Sequence, residues 1–356
     1  MNFSIHSNIR DYDVNIQSNS EFIGDLAHHP QACFIVDENV WNLYANTLLN
    51  DLPREKVIIL PINEDRKNLV TVQDLYDRLV TYTAKRNLTL ISFGGGILQD
   101  ITGFAASTIY RGINWIYFPT TLLAQADSCI GSKTSLNYLG YKNLIGTFYP
   151  PTQIHIYTPF LKTQEDADFY SGFGEVIKLH LMGGEKQFRE LARHTKAILS
   201  REPEALLTAI RSSLAVKLSY MVGDEFDTGR RNLLNYGHDF GHALESTSNF
   251  AIPHGQAVIF GMLAANLVGK NRGALNPELV EEILHDLLLP SLKIIPSSDS
   301  IHPELMIEAM KKDKKRTGNL LALIMMQNDY EFSRVNDLTP DEVVSALAEC
   351  KVLLGL

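Results

Sequence analysis

Three histidines in the second half of the chain have the residue type and spacing of a metal site. His238 and His242 stand four residues apart in RRNLLNYGHDFGHALE, residues 230–245, and His254 follows in PHGQAV. Residues four apart share one face of a helix, although a single such pair is more often a core or surface pair than a set of ligands. A zinc site needs at least one further protein ligand, which His254 or a carboxylate would supply.

The segment GFGEVIKLH supplies the candidate carboxylate. It contains Glu175, with Lys178 one turn further along the same helix face. This pair is equally typical of an exposed ion pair on a helix surface. A His/His/Glu set with an open fourth position would instead let a metal ion hold a substrate hydroxyl or carbonyl. The spacing alone leaves both interpretations open.

A glycine triplet is the second chemical signal. The apolar run in LTLISFGGGILQD ends on glycines at positions 94–96, and Asp100 follows; Thr120 and Thr121 come after the next apolar run. Glycines at a strand-to-helix turn let the backbone approach a pyrophosphate, whose charge a helix N-terminus favours. The triplet does not match G-x-G-x-x-G, so a plain tight turn stays an alternative, as does a simple helix start at the threonines.

Basic residues recur in short motifs rather than in one block. They are Arg111, Lys133, Lys142, Lys217, Arg230, Arg231 and a lysine-rich run at 311–319. Arginine binds carboxylate or phosphate in bidentate fashion, and lysine acts as a point charge. Each one alone is typical of a solvated surface. A local cationic pocket is nevertheless compatible with an acidic chain.

Composition limits the class of protein. The chain has 356 residues, 45% of them hydrophobic, and a formal net charge of −9. These values suit one large or two medium domains and argue against nucleic acid as the main partner. Three widely spaced cysteines predict neither a disulfide framework nor a cysteine metal site. The longest apolar run, residues 257–269, is too short to span a bilayer, and the N-terminus lacks the apolar segment of a secretory signal. We therefore expect a cytoplasmic protein with no membrane partner.

The elements that position these groups change character near residue 155. Before it, strand-like runs such as ACFIVDENV and LTLISFGGG alternate with helical segments, which predicts a parallel sheet covered on both faces. After residue 160 the pattern is helical, except for a hairpin predicted in LLALIMMQNDYEFSRV. We expect an α/β nucleotide-binding domain over residues 1–158 and a mainly α-helical metal- and substrate-binding domain over residues 159–356, with ligands bound between them.

In order and spacing, the motifs resemble those of the 3-dehydroquinate synthase family of sugar phosphate cyclases. The resemblance rests on GGGILQDITGFAAS, YRGINWIYFPTTLLAQADSCIGSKT, KNLIGTFYPP, GFGEVIK, RRNLLNYGHDFGHALE, HGQAV and DKK. It implies a phosphate-eliminating lyase of the shikimate pathway, which supplies aromatic amino acid biosynthesis. It also implies NAD and a divalent metal ion, zinc or cobalt, as cofactors, a small sugar phosphate as substrate, and a homodimer.

The resemblance also implies roles for single residues. The metal ligands would be Glu175, His238 and His254, so that His242 would lie in the substrate pocket. The catalytic residues would be Asp127, Lys133, Lys178, Asn235 and His242. The substrate-binding residues would be Arg111, reaching the phosphate from the neighbouring subunit, and Asn143, Lys217, Asp227, Arg231, Lys314 and Lys315. The cofactor-binding residues would be Asp37, Glu64, Lys67, Gly95, Gly96, Asp100, Thr120, Thr121, Lys142 and Thr163.

The choice of substrate depends on whether it carries a carboxylate. In the resembled family a lysine and an arginine fourteen residues apart bind that carboxylate, and Lys217 and Arg231 have this spacing. We therefore expect conversion of 3-deoxy-D-arabino-heptulosonate 7-phosphate to 3-dehydroquinate and phosphate. The steps would be transient oxidation by NAD, phosphate β-elimination, reduction and an intramolecular aldol reaction.

Several departures from the family pattern keep alternatives open. Ser132 and Tyr141 stand where glycine is usual, and Asp227 and Gln256 stand where glutamate is usual. The alternatives are aminodehydroquinate synthase, 2-epi-5-epi-valiolone synthase and 2-deoxy-scyllo-inosose synthase. A metal-dependent polyol dehydrogenase, which performs net redox, is a less favoured alternative, and a non-catalytic binding module is favoured least.

Overall fold

The computed structural model describes residues 2–17, 19–29, 31–81, 86–312 and 320–356. The chain divides into two units, Met1–Gln164 and Glu165–Leu356. The sequence placed the division at residues 158/159, after the first residue of a 3-10 turn, Thr158–Lys162. In that turn Phe160 packs edge-on against Tyr44 and Tyr157, with ring centroids 5.3 and 5.5 Å apart. This packing attaches the turn to the first unit.

Short apolar runs build the sheet of the first unit. Its strands are β1 (Asn2–Ile5), β2 (Tyr12–Ile16), β3 (Ala32–Asp37), β4 (Val57–Leu60), β5 (Thr89–Gly94), β6 (Asn114–Pro119) and β9 (Gln153–Ile156), and a separate hairpin consists of β7 (Lys133–Tyr138) and β8 (Tyr141–Phe148). Within the described residues the sheet has seven strands in the order β1-β2-β9-β6-β5-β3-β4. All neighbours pair in parallel except β1 and β2, which are antiparallel.

Helices α1 (Phe22–Ala27), α2 (Glu38–Tyr44), α3 (Leu69–Thr81) and α4 (Gly96–Thr108) connect these strands. Phe34, Phe93 and Phe118 are fully buried in one apolar cluster, where the rings of Phe93 and Phe118 stack with centroids 4.4 Å apart. Parallel strands covered by helices are buried on both faces and therefore read as continuous apolar runs. For this reason the sequence predicted β3, β4, β5, β6 and β9.

The sequence did not predict the β7–β8 hairpin. Its two-residue loop consists of Leu139 and Gly140, with φ of 50° and 78°. A hairpin loop with two positive φ values normally shows Asn-Gly or Asp-Gly, and a leucine conceals that signal. Most of β8 is also exposed, so the hairpin lacks a clear apolar alternation.

The second unit is mainly helical, as predicted. Its helices are α5 (Asp166–Met182), α6 (Glu185–Leu199), α7 (Pro203–Met221), α8 (His238–Thr247), α9 (His254–Asn271), α10 (Pro277–Ile283), α11 (Leu289–Ser291), α12 (Pro303–Lys311) and α13 (Pro340–Leu354). The predicted hairpin is confirmed as β10 (Leu321–Met326) and β11 (Phe332–Leu338), which pair antiparallel around Asn328 and Asp329.

Helix α9 forms the centre of the second unit. Every residue from 255 to 269 is buried, and α5, α8 and α13 pack around the helix. Across the described ranges, we find no helix with the length and apolar character needed to cross a bilayer. The predicted combination of a parallel α/β unit and a mainly helical unit is therefore confirmed.

Candidate active site

Glycines let helices α5, α8 and α9 approach backbone to backbone. A Cβ on Gly174 would lie 2.1 Å from the carbonyl oxygen of Gly255, and a Cβ on Gly255 would lie 1.7 Å from that of Ser171. Between α9 and α8, a Cβ on Gly261 would lie 1.8 Å from the carbonyl oxygen of Gly237. Any larger residue would force these helices apart. The start of α8, the start of α9 and the middle of α5 are thereby held together.

Glu175, His238 and His254 meet at this junction. Nε2 of His254 lies 3.1 Å and Nε2 of His238 lies 3.5 Å from Oε1 of Glu175. One ligand atom from each residue lies within 4.8 Å of the others. Two imidazoles and a carboxylate form a donor set that suits zinc or cobalt, and three protein ligands leave a position for substrate. These three side chains could hold a divalent metal ion.

The two histidines of this set differ in protonation. Burial, together with the nearby Lys178, His242 and His254, lowers the pKa of His238 well below its usual value. Burial also acts to lower the pKa of His254, but hydrogen bonds to Glu175 and Glu245 outweigh it and raise that pKa to about 10. A metal ion binds only neutral imidazole, so metal binding at His254 would displace a proton.

Lys178 lies one turn after Glu175, and its Nζ contacts Oε2 of Glu175. The two residues are only 3% and 2% exposed, so the interpretation as a solvated ion pair is wrong. Burying two charges carries a desolvation cost that often exceeds their attraction. Buried, coupled ionisable groups are typical of functional sites.

Sequence reasoning missed Glu245. This buried residue of α8 has its Oε2 3.4 Å from Nδ1 of His254 and 3.9 Å from Nε2 of His242. It follows His238 by seven residues, which places both on one helix face. That spacing was visible in HDFGHALE and could have revealed a second carboxylate.

His242 lies beside the Glu175 set but is not part of it. Its ring centroid is 5.2 Å from that of His238 and 5.8 Å from that of His254, and its side chain is half-exposed. With Glu245 and His254 it forms a second group whose atoms could hold a cation. That His242 lies in the substrate pocket and is not a ligand stays a prediction.

A single carboxylate organises the loop before Arg231. The Asp224 side chain accepts hydrogen bonds from the backbone N–H groups of Thr228, Gly229 and Arg231, each at 2.8 Å. The Arg231 guanidinium donates to the carbonyl oxygen of Glu225. Arg231 lies in a 3-10 turn, Arg230–Asn235, that packs against α7, the helix of Lys217. In that turn the Asn235 amide donates to the carbonyl oxygen of Asn232 at 2.7 Å.

Both predicted carboxylate-binding cations are buried. Lys217 is 7% and Arg231 is 3% exposed, in contrast to the solvated surface charges that either could have been. Asp227, which lies between them in the chain, has a φ of 59°. Such a conformation is uncommon for a residue other than glycine and is enriched for Asp and Asn.

In the first unit, the glycine triplet forms the turn between β5 and α4. The carbonyl oxygen of Gly94 accepts a hydrogen bond from the Thr120 backbone at 3.0 Å. A Cβ on Gly95 would lie 3.0 Å from Cγ2 of Thr121, and one on Gly96 would lie 3.5 Å from Oγ of Ser128. The glycines therefore keep side chains away from the N-terminus of α4, a position that suits an anion.

A partly buried polar cluster ties α4 to the β7–β8 hairpin. Nζ of Lys67 lies 2.5 Å from Oδ2 of Asp100 and donates to Oδ1 of Asn143 at 2.6 Å. Oγ of Ser135 donates to Asp100 at 3.0 Å and to Asn143 at 2.8 Å. Burial raises the pKa of Asp100, against the opposing effect of Lys67. Asn143, predicted to bind substrate, is thus joined to two residues predicted to bind the cofactor.

The remaining predicted cofactor residues are dispersed over the first unit. Asp37 ends β3, accepts from the Asn39 backbone at 2.8 Å and has a pKa raised by burial. The Glu64 carboxylate accepts from the Asn137 amide at 2.7 Å. The Thr163 and Tyr44 hydroxyls lie 2.6 Å apart, and Lys142 is exposed on β8.

Three further predicted residues lie at turns of the first unit. Arg111 is exposed between Tyr110 and Gly112, and the three residues have φ of 51°, 65° and 117° in chain order. Consecutive positive φ values store strain, which is typical of functional sites. Asp127 lies in a π-helical turn, Ala124–Ser128, and Lys133 is exposed at the start of β7. Lys314 and Lys315 lie outside the described residues.

Comparison with known proteins identifies the family. Residues 57–171 match the model for the 3-dehydroquinate synthase N-terminal domain, and residues 172–316 match that for the C-terminal domain. The 3-dehydroquinate synthase of Clostridium tetani (strain Massachusetts / E88) is 36% identical over 95% of this chain and 87% of its own. That of Dehalococcoides mccartyi (strain CBDB1) is 37% identical over 82% of this chain and 81% of its own. The chain belongs to the 3-dehydroquinate synthase family.

Solved structures agree with this membership. The 2-epi-5-epi-valiolone synthase of Streptomyces hygroscopicus subsp. jinggangensis 5008, solved with NAD+ and Zn2+ bound, has a TM-score of 0.86 at 25% identity over 99% of both chains. A 2-deoxy-scyllo-inosose synthase complexed with carbaglucose-6-phosphate, NAD+ and Co2+ has the same fold, with a TM-score of 0.82 at 22% identity over 98% of this chain and 100% of its own. The glycerol dehydrogenase of Schizosaccharomyces pombe is more distant, with a TM-score of 0.60 at 16% identity over 96% of this chain and 89% of its own.

Two departures from the 3-dehydroquinate synthase pattern have a structural account. Ser132 has a φ of 63°, a conformation that glycine adopts at lower cost, and this explains why glycine is usual there. The Gln256 amide donates to the carbonyl oxygens of Tyr170 and Ser291 and accepts from the backbone N–H groups of Lys293 and Ile294, at 2.7–3.2 Å. An amide side chain can satisfy all four of these groups.

Proposed function

We propose that this chain converts 3-deoxy-D-arabino-heptulosonate 7-phosphate to 3-dehydroquinate and phosphate. The observation that carries the proposal is the burial of both Lys217 and Arg231 in the unit that also contains Glu175, His238 and His254. A cyclase acting on a sugar phosphate without a carboxylate does not need a second buried cation there. The family relatives at 36–37% identity support the same substrate.

We further propose NAD and a divalent metal ion, zinc or cobalt, as cofactors. The donor set of Glu175, His238 and His254 fits such an ion, and two neighbouring cyclase structures contain NAD+ with Zn2+ or Co2+. The β5–α4 turn, without side chains at Gly95 and Gly96, fits a pyrophosphate. When bound, the metal ion polarises a substrate hydroxyl and the nicotinamide accepts and later returns a hydride.

The side chains of this chain would then bind, orient and move protons. Arg231 and Lys217 hold the substrate carboxylate and so fix which hydroxyl faces the metal position. Lys178, buried beside Glu175, stabilises negative charge on the reacting oxygen. His242 is half-exposed and exchanges a proton at Nε2 between a substrate hydroxyl and water. Asp127 and Asn235 orient the remaining hydroxyls.

Phosphate departure requires neutralisation of the leaving group. Arg111, Lys133, Asn143 and one of Lys314 and Lys315 would supply donors to it, as in the resembled family. We propose that Arg111 reaches the phosphate of a neighbouring subunit, which accounts for an exposed arginine on a strained turn. The working form would accordingly be a homodimer, and its location the cytoplasm.

The test is release of inorganic phosphate by the purified protein supplied with zinc and NAD. Two substrates are compared, 3-deoxy-D-arabino-heptulosonate 7-phosphate and sedoheptulose 7-phosphate, and mass spectrometry identifies the organic product. We expect turnover of the acid alone, with 3-dehydroquinate as product and no accumulation of NADH. Turnover of the sugar alone would indicate a valiolone-forming enzyme instead. NADH accumulating without phosphate release would indicate a polyol dehydrogenase.

A further inference from the structure

We propose that Glu245 is a positioning residue that fixes the ring orientation of His254 for metal binding. The inference rests on the metal site proposed above and adds to it a group that the ligand set does not include. Glu245 is on α8, the same helix as the candidate ligand His238, and it is buried against the junction with α9.

The two nitrogens of His254 face two different carboxylates. Nε2 lies 3.1 Å from Oε1 of Glu175, and Nδ1 lies 3.4 Å from Oε2 of Glu245. A carboxylate only accepts hydrogen bonds, so Glu245 favours the ring form with hydrogen on Nδ1. When a metal ion displaces the proton on Nε2, the lone pair resides on that nitrogen, on the side of Glu175.

His238 has the matching arrangement with a different partner. Its Nδ1 lies 3.2 Å from the carbonyl oxygen of Tyr236, which again leaves Nε2 towards Glu175. Both candidate histidine ligands are therefore held through Nδ1. Metal-binding histidines generally donate their second N–H to a carboxylate or a backbone carbonyl, which fixes ring orientation and increases basicity.

Each nitrogen of His254 has one carboxylate partner, and Glu245 is the partner on the side away from Glu175. His254 is the first residue of α9, and its side chain is 34% exposed, whereas that of Glu175 is almost fully buried. Without Glu245 the ring could rotate or adopt the other tautomer. Either change would remove the lone pair from the metal position.

The experiment compares wild type, Glu245→Gln and Glu245→Asp, with Glu281→Gln as control. Glu281 contacts His285 at 3.1 Å on an exposed helix surface, so the control removes the same charge beside a histidine far from the ligand set in sequence. Zinc affinity is measured by competition with a chromophoric chelator, and the visible spectrum is recorded for the cobalt form. Thermal unfolding of the metal-free proteins checks folding.

We expect Glu245→Gln to weaken zinc binding about 10- to 100-fold and to change the cobalt spectrum. Glu245→Asp keeps the charge and should recover part of the affinity, while Glu281→Gln should match wild type. If Glu245→Gln fails to fold, the aspartate variant provides the comparison, because one missing methylene also lengthens the contact with Nδ1.

The outcomes separate this inference from the metal site itself. If both Glu245 variants bind one zinc per chain with wild-type affinity and spectrum, the positioning role is refuted. The proposed metal site is then retained. Two zinc ions in wild type and one in Glu245→Gln would make Glu245 a ligand with His242 instead. A wild-type protein that binds no metal, or binds it equally well as His238→Ala, would refute the proposed metal site and this inference together.

Discussion

Gln256 follows the candidate ligand His254 by two residues, and its buried amide satisfies four backbone groups. Gln256→Leu keeps the volume but leaves two carbonyl oxygens and two N–H groups without this partner. The expected loss is about 3 kcal/mol of unfolding free energy, or roughly 6–12 °C in Tm for a unit of this size. Differential scanning calorimetry at neutral pH measures it.

Gln256→Glu tests the donor and the acceptor of this amide separately. The carboxylate keeps the acceptor for Lys293 and Ile294 but faces the carbonyl oxygens of Tyr170 and Ser291 without a donor. At neutral pH its stability should be no higher than that of the leucine variant, because a buried carboxylate without a cation faces two carbonyl oxygens. The control Gln327→Leu removes one exposed hydrogen bond, to Ser333, and should change Tm little. A leucine variant at position 256 as stable as wild type would refute this account.

In the proposed function, substrate choice depends on Arg231. If its guanidinium binds a buried carboxylate, Arg231→Ala should lower kcat/KM for the acidic substrate about 100- to 1,000-fold, a loss of about 3–4 kcal/mol in transition-state binding. Zinc content should not change, because Arg231 is not in the metal-ligand group. Steady-state phosphate release and zinc analysis provide the two measurements.

Two further variants make the Arg231 result interpretable. Arg230→Ala removes the neighbouring arginine, whose guanidinium lies 4.5 Å from the Tyr220 ring centroid, and should leave kcat/KM within a few-fold of wild type. Arg231→Lys keeps the charge without the bidentate geometry and should be intermediate. Unchanged kcat/KM in Arg231→Ala would mean that other residues bind the substrate carboxylate.

At the scale of elements, the ligand set depends on how closely α5 approaches α9. A Cβ on Gly255 would lie 1.7 Å from the carbonyl oxygen of Ser171, so Gly255→Ala must push the helices apart or shift the start of α9. Because His254 begins α9, we expect weaker zinc binding together with a stability loss of about 3 kcal/mol, at the upper end of overpacking effects. Zinc competition and thermal unfolding test both.

A glycine with free space around it provides the control. Gly24 lies in α1, and nothing lies within 4 Å of a Cβ placed on it. Gly24→Ala should be neutral or stabilise by about 0.5–1 kcal/mol, because alanine loses less entropy in a helix. If Gly255→Ala behaved like Gly24→Ala, a close approach of α5 to α9 would not be a condition for metal binding.

At the scale of the whole chain, most of the fold could be predicted from the pattern of apolar residues. The runs that became β3, β5 and β6 are long, apolar and separated by helical periodicity, and their burial on two faces makes them visible in sequence. The β1–β2 pair and the β7–β8 hairpin are short or exposed, so their partners, rather than their own composition, determine them.

The order of the family motifs predicted more of the candidate site than the spacing of single residues did. His238 and His254 were candidates by type, but their distance to Glu175 depends on glycine contacts between residues more than 80 positions apart, such as Gly174 and Gly255. Periodicity contains no information on such contacts. The spacing in HDFGHALE placed Glu245 on the face of His238, but its contact with His254, on a different helix, was not visible from spacing.

The two units offer a test of where each cofactor acts. A ligand that binds only the folded state stabilises it by about 4 kcal/mol at a concentration of a thousand times Kd. The candidate metal ligands lie on α5, α8 and α9 of Glu165–Leu356, and the candidate pyrophosphate turn lies between β5 and α4 of Met1–Gln164. Each ligand should therefore slow hydrogen exchange mainly in its own unit.

Hydrogen exchange with mass spectrometry, in metal-free protein and with zinc, NAD or both, measures this. Zinc alone should slow exchange at the amides of α8 and α9 and leave the β3–β6 strands close to the metal-free rates. NAD alone should slow exchange around Gly95, Gly96 and Asp100. Chelation by EDTA should reverse the first effect and not the second. Zinc protection concentrated in residues 1–164 would contradict the ligand assignment, because none of Glu175, His238 and His254 lies there.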